Sequence, residues 1–268
     1  MMNDVVEPAQ PTVSFSGEFK FRARILILQF AVGIGLLATW QFVSGRFIDP
    51  FFISSPVQVW ARLVSWAASG MLSIHLGYTL SATAIGFVVG AICGFAFGFA
   101  LGRNELVAAV LNPFITALYC LPKIALAPLI IMWFGIGIES KIAMSGIVVF
   151  FLVFLNTYSG VREVNPIFLN SLRIMGGKEA QLLRYVVVPS AMSWVLAGLK
   201  VSVPYALIGT VVGELMSSNR GIGFLIAQAS GMFDTPGVFA GLVLLASIGV
   251  IVNSGLNVFE SYALRWKR

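Results

Sequence analysis

Charge is what this sequence has least of. Only 10% of its 268 residues are Asp, Glu, Lys or Arg, against roughly a quarter in a soluble domain. With 58% hydrophobic residues and a mean hydropathy of +0.92, that scarcity excludes a water-soluble globule. Histidine is represented by His75 alone, and cysteine by Cys93 and Cys120, both within apolar runs. Such a set offers no clustered His, Cys or acid to hold a metal, and the two thiols read as small hydrophobes. The 11 carboxylates are scattered, which speaks against an enzyme built on paired acids. No Gly-x-x-x-x-Gly-Lys-Ser/Thr run occurs, so the chain has no phosphate loop of its own. Internal repeats, low-complexity tracts and long linkers are also missing.

What the sequence has in abundance is uninterrupted apolar length. A helix needs roughly 20 apolar residues to cross a hydrocarbon core of about 30 Å, because its backbone must satisfy its own hydrogen bonds there. Six stretches qualify: 25–44, 76–102, 107–134, 141–160, 191–216 and 237–260. The expected fold is therefore all-α, a polytopic membrane protein with six transmembrane helices in one domain over 25–264. Residues 1–24 and 265–268 form cytoplasmic tails. The first run is longer than the core of a signal peptide and no small-residue cleavage site follows, so it is expected to be retained. The third run is interrupted by Pro113, Pro122 and Pro128 and carries Lys123 near its middle. A kinked or partly non-helical crossing is expected there.

Orientation follows from the basic residues. With both ends inside, eleven of the 17 fall on the inner side: Lys20, Arg22, Arg24, Arg103, Arg162, Arg173, Lys178, Arg184, Arg265, Lys267 and Arg268. Four fall outside, Arg46, Arg62, Lys141 and Arg220, while Lys123 and Lys200 lie within runs. The excess of +6 is thus explained by the positive-inside rule, with no need of nucleic acid. Between the first two runs, Ser55-Pro56 followed by Val57, Val59, Trp60, Leu63, Val64 and Trp66 reads as a capped amphipathic helix at the outer interface.

The second run places Gly86, Gly90, Gly94, Gly98 and Gly102 at a spacing of four. Small residues in such a row let helix backbones approach. Each four-residue step turns about 40° around the helix, so the row is expected to meet more than one neighbour.

The stretch 161–190 is polar but ordered. Asn165-Pro166 is a helix start; Phe168, Leu169, Leu172 and Met175 recur at helical spacing; Gly176-Gly177 ends the helix; and a second short helix is expected from Lys178 to Val188, before Pro189 opens the next span. A helix this short cannot bury an apolar stripe by itself, so the stripe needs a groove elsewhere. The run Asn170-Ser171-Leu172-Arg173-Ile174-Met175-Gly176, with Gln181, Arg184 and Val186-Val187-Val188-Pro189, resembles the cytoplasmic signature loop in permease subunits of type I ABC importers. That loop begins Glu-Ala-Ala, has a glycine six residues on, where Gly176 stands, and ends in an apolar-Leu-Pro step. Asn170, Ser171 and Leu172 depart from Glu-Ala-Ala, and Val188 replaces the Leu. Phe52 to Pro56, Leu121-Pro122, Pro128-Leu129, Trp133 to Gly137, Asn156-Thr157, Gly160 to Arg162, and Glu214 with Gly221-Ile222-Gly223 extend the likeness to the nitrate, sulfonate and taurine branch of these permeases.

The resemblance implies a permease subunit of an ATP-driven importer in a bacterial inner membrane. Its partners would be cytoplasmic ATPase subunits, a periplasmic or lipid-anchored solute-binding protein, and a second permease copy, most simply an identical one. ATP and Mg would be used by the ATPase, with no cofactor on this chain. The ATPase-coupling residues are then Asn170, Leu172, Arg173, Met175, Gly176, Gly177, Gln181, Arg184 and Pro189, with docking expected to rest on the apolar stripe, Arg173 and the Gly176 break. The cargo is a small solute, expected to be anionic.

For the solute path, Pro122 and Lys123 are candidates because an ionisable group at that depth is functional by default; exposure to water or a neighbouring carbonyl is the competing reading. Glu214 is either a path residue or a structural acceptor for the Gly221-Ile222-Gly223 turn. Lys200 is expected to reach the interface along its stem. An ion-coupled secondary transporter is the alternative, and Glu214 is the one carboxylate placed to serve it.

Overall fold

The computed structural model describes residues 15–263, with side chains described except at 15–20, 22, 23, 105 and 257–263. The expected C-terminal tail and most of the N-terminal one lie outside the described residues. Long apolar runs without competing turn signals become helices, and the described chain is helical almost throughout. It divides into two units between Gln58 and Val59, where the sequence suggested one domain over 25–264.

The first unit holds α1 (Phe15–Val43), α2 (Pro50–Ile53) and the start of α3 (Pro56–Ala68). Helix α1 begins at Phe15, ten residues before the expected span. The Asp49 carboxylate accepts the Phe51 N–H at 2.8 Å, and the Ser55 hydroxyl accepts the Gln58 N–H at 3.4 Å, as a capping serine should. The Trp40 indole donates to the Ile53 carbonyl at 3.0 Å and ties the end of α1 to this corner.

The second unit continues with α4 (Met71–Gly102), α5 (Glu105–Cys120), a 3₁₀ turn (Lys123–Leu126), α6 (Ala127–Phe134) and α7 (Ile138–Arg162). After α7 come α8 (Pro166–Ile174), α9 (Glu179–Leu182), α10 (Val188–Met216), α11 (Ile222–Gly231) and α12 (Thr235–Ala263). The third expected span is two helical pieces bent by 81°. Pro122 has no N–H to continue α5, and the chain restarts at Lys123.

The glycine row meets one helix, not several. A methyl group added at Gly86 would lie 2.6 Å from Ser145 Cβ, at Gly94 2.6 Å from the Phe150 carbonyl oxygen, at Gly98 2.6 Å from that of Phe154, and at Gly102 2.9 Å from Val161 Cβ. At Gly90 it would strike the Gly146 carbonyl. All these partners are on α7. The row winds, yet α7 stays against it from Gly86 to Gly102. Both helices advance together along this contact, so they run parallel. Two parallel crossings need a return crossing between them, which makes bent α5–α6 one span and, with α1, gives six among the described residues.

Helix α10 runs the other way on α7: Gly160 packs on Trp194, Gly198 on Asn156, and Gly209 on Met144. Its start differs from expectation. The second short helix does not stop before Pro189; α9 passes through a π turn at Leu183–Val187 directly into α10. Pro189 supplies no N–H to the ladder, and the wider turn, with the Val188 N–H donating to the Leu183 carbonyl, accommodates its ring. Lys141, expected on the outer surface, is fully buried at the start of α7.

Candidate functional site

At the end of the second unit where α4 and α7 finish, α8 stands away from the helical core. The Asn165 side-chain oxygen accepts the Ile167 N–H at 2.9 Å, and Pro166 occupies the first turn. Gly176 has φ of +81°, a backbone state that costs a residue with Cβ roughly 1 kcal/mol or more. The Gly177 N–H returns to the Leu172 carbonyl at 2.9 Å. A Cβ at Gly177 would sit 2.7 Å from Leu172 Cγ, so Leu172 is spent on closing the turn. Gln181 accepts the Lys178 N–H at 2.8 Å and starts α9, while Arg173 pairs with Glu179 at 3.5 Å. Asn170 is exposed, Arg184 lies over the Tyr185 ring, and Pro189 sits in the first turn of α10.

No residue of α8 is buried. Ile174 is 86% exposed, Met175 81%, Ile167 65% and Phe168 59%. Residues 167 and 174, and 168 and 175, are two turns apart and share faces, so they form one apolar surface. Ile167 and Ile174 belong to it, although the stripe read from the sequence left them out; Leu169 is half-buried behind it.

The opposite end is closed. Helix α11 begins with three consecutive N–H groups that its own ladder cannot satisfy, and each finds a side chain from another helix. The Gly221 N–H donates to His75 Nδ1 at 3.0 Å, the Ile222 N–H to Thr79 Oγ1 at 2.8 Å, and the Gly223 N–H to Glu214 Oε2 at 2.8 Å. Thr79 in turn donates to Glu214 at 2.8 Å. The His75 ring stacks on Phe224 at 5.6 Å. Glu214 is 1% exposed and Thr79 0%. Gly221 has φ of +110°, and a Cβ there would run into the Glu214 carboxylate. Beside this cluster, Lys141 donates to the carbonyls of Ile136 (2.7 Å) and Ser217 and to the Ser140 hydroxyl (3.2 Å).

Glu214 therefore serves as an acceptor for the turn. His75, Thr79 and Lys141 were missed as its companions; His75 and Thr79 lie one turn apart on α4, but Ser73, Tyr78, Ser81 and Thr83 stand beside them and blur that signal. Among the described residues no group of His, Cys, Asp and Glu could hold a metal.

Lys123 is half-buried at the bend. Its ammonium donates to the Tyr119 carbonyl and lies 4.4 Å from the Tyr119 ring centroid and 5.1 Å from that of Phe151. Phe151 is ten residues along α7 from Lys141, about 15 Å by helical rise. Lys123 and exposed Pro122 are thus near mid-span and are not brought together with Glu214.

Parallel and antiparallel spans, a broken crossing with a cation near its bend, and a short helix with an exposed apolar face describe a polytopic membrane protein. Residues 86–262 match the family described as "Binding-protein-dependent transport system inner membrane component", and the chain belongs to that family. It is 32% identical over 234 residues to the formylaminopyrimidine transport permease protein ThiX of Halalkalibacterium halodurans, covering 87% of this chain and 93% of the relative. It is 31% identical to the putative aliphatic sulfonates transport permease protein SsuC of Bacillus subtilis, covering 87% and 84%. The fold is that of the solved structure titled "Crystal structure of an amino acid ABC transporter with histidines", with a TM-score of 0.58 at 19% identity, covering 76% of this chain and 97% of that one. The chain is a multi-pass membrane protein and an ABC importer permease subunit, not an enzyme; ATP hydrolysis belongs to separate subunits.

Proposed function

We propose that two copies of this chain form one solute path, that α8 is the element a cytoplasmic ATPase subunit grips, and that both termini lie on the α8 side. A small anion delivered by a solute-binding protein is the cargo, and ATP and Mg are bound by the ATPase alone. The observation that carries this reading is the apolar surface of Ile167, Phe168, Ile174 and Met175, exposed on a helix held by a cap at one end and a left-handed glycine at the other. Burying such side chains in a groove stabilises by about 1.5 kcal/mol or more each. A rigid helix so seated can pass motion to α7 and α10, which it joins. Arg103, Arg162, Arg173, Lys178 and Arg184 gather at this end, as they should on the cytoplasmic side.

Replacing Ile174 and Met175 together by Asp tests the coupling role. The ATPase subunit should be lost on co-purification and uptake should fall by at least about tenfold, with thermal unfolding unchanged; an intact, active complex overturns the assignment. The anionic cargo rests on Lys123 in the break and on the sulfonates named for the SsuC relative. Lys123→Met should abolish uptake of an aliphatic sulfonate; unchanged uptake removes Lys123 from the path.

A further inference from the structure

Beside α8 lies a cavity of about 600 Å³. Three arginines are among the residues that line it, Arg103, Arg162 and Arg173, and Glu179 is the one acidic residue of the lining. They come from three elements: Arg103 follows the last turn of α4, Arg162 stands in the last turn of α7, and Arg173 in that of α8. A cation at each helix C-terminus is ordinary, but that preference does not explain why all three line one hollow. On α8 the lining residues are Pro166, Leu169 and Arg173, spaced three and four apart, a different face from the apolar surface of Ile167, Phe168, Ile174 and Met175. The cavity therefore belongs to the side of α8 that faces the ends of the membrane spans, not the side free for a protein partner. Val161, Val164 and Leu182 make other parts of its wall apolar. The Arg173–Glu179 pair is open to solvent, with side chains 56% and 73% exposed, so Arg173 can share its donors with a second anion.

We propose that this cavity binds the phosphate of an anionic phospholipid headgroup. A phosphate diester accepts from several guanidinium forks at once, basic pockets between spans at the inner leaflet take such headgroups, and apolar walls beside the cations suit a phosphate that carries acyl chains. Through Arg173 the bound lipid would tie α8 to the ends of α4 and α7, making ATPase coupling sensitive to lipid charge. Assignment to the inner leaflet rests on the orientation proposed above; binding itself, measured in detergent, does not.

The test uses the purified full chain, stripped of lipid and then offered phosphatidylglycerol, phosphatidylcholine or inorganic phosphate, with bound lipid counted by native mass spectrometry. The wild type should retain phosphatidylglycerol in preference to phosphatidylcholine, and inorganic phosphate should not displace it. Arg103→Gln combined with Arg162→Gln should weaken retention about tenfold, Arg103→Lys with Arg162→Lys should weaken it less, and Arg220→Gln at the opposite end should leave it unchanged. No preference in the wild type, or equal retention by the Gln variant, overturns the proposal. Displacement by inorganic phosphate overturns the lipid as the source of the anion. Loss of the ATPase subunit from the Gln variant with lipid retention intact assigns the cavity to the protein partner and overturns it too.

Discussion

The two ends of the second unit solve the same problem in opposite ways. At each, a short helix begins with backbone N–H groups that need acceptors. Helix α11 finds them in His75, Thr79 and Glu214 from α4 and α10, and its surroundings are buried. Helix α8 finds its acceptor in its own cap, Asn165, and leaves its apolar side chains in the open. The contrast separates a polar cluster whose members satisfy one another and hold the fold from an ordered helix with an exposed apolar face, which on the function proposed above is where another molecule docks.

If the closed end is structural, its variants should cost stability. Glu214→Ala strips acceptors from the Gly223 N–H and the Thr79 hydroxyl and should lower unfolding stability by about 3 kcal/mol, read as a fall in thermal midpoint in detergent. An unaltered midpoint would remove the distinction between the ends. Gly94→Val comes next, because its Cβ would press on the Phe150 carbonyl across the α4–α7 contact; about 2 kcal/mol should be lost. The same change at Gly33 in α1, where nothing lies within 4 Å, should be nearly silent. Gly176→Ala should cost less than Gly94→Val, about 1 kcal/mol of backbone strain, because nothing stands within 4 Å of the new methyl group. That variant should show slower uptake per ATP hydrolysed while its midpoint barely moves. A large fall in midpoint would place the open end with the closed one.

The open end was legible in the sequence because its signals are local. Asn165-Pro166, the Gly176-Gly177 break and the recurrence of Phe168, Leu169, Leu172 and Met175 all lie within one stretch, but Leu169 and Leu172 of that recurrence are half-buried, and Ile167 and Ile174 were missed. The second helix was expected to end at Val188, with Pro189 opening a separate span; a π turn, which no local residue preference announces, joins the two. The closed end was barely legible. Glu214 and the Gly-Ile-Gly turn were visible, but Thr79 stands 135 residues from Glu214, and Lys141 read as one more outer-side charge.

The number of apolar crossings, the broken third span, the excess of basic residues at one end and the capped α8 were determined by the sequence alone. Each depends on run length, proline chemistry or neighbours a few positions apart. The tertiary structure decided that all five glycines of α4 serve one partner, that Glu214 and Lys141 are buried with their polar atoms occupied, and that three arginines from different helices line one cavity. Those outcomes depend on how helices cross, and a crossing angle is set by the fit of two surfaces, which neither strand of sequence carries by itself.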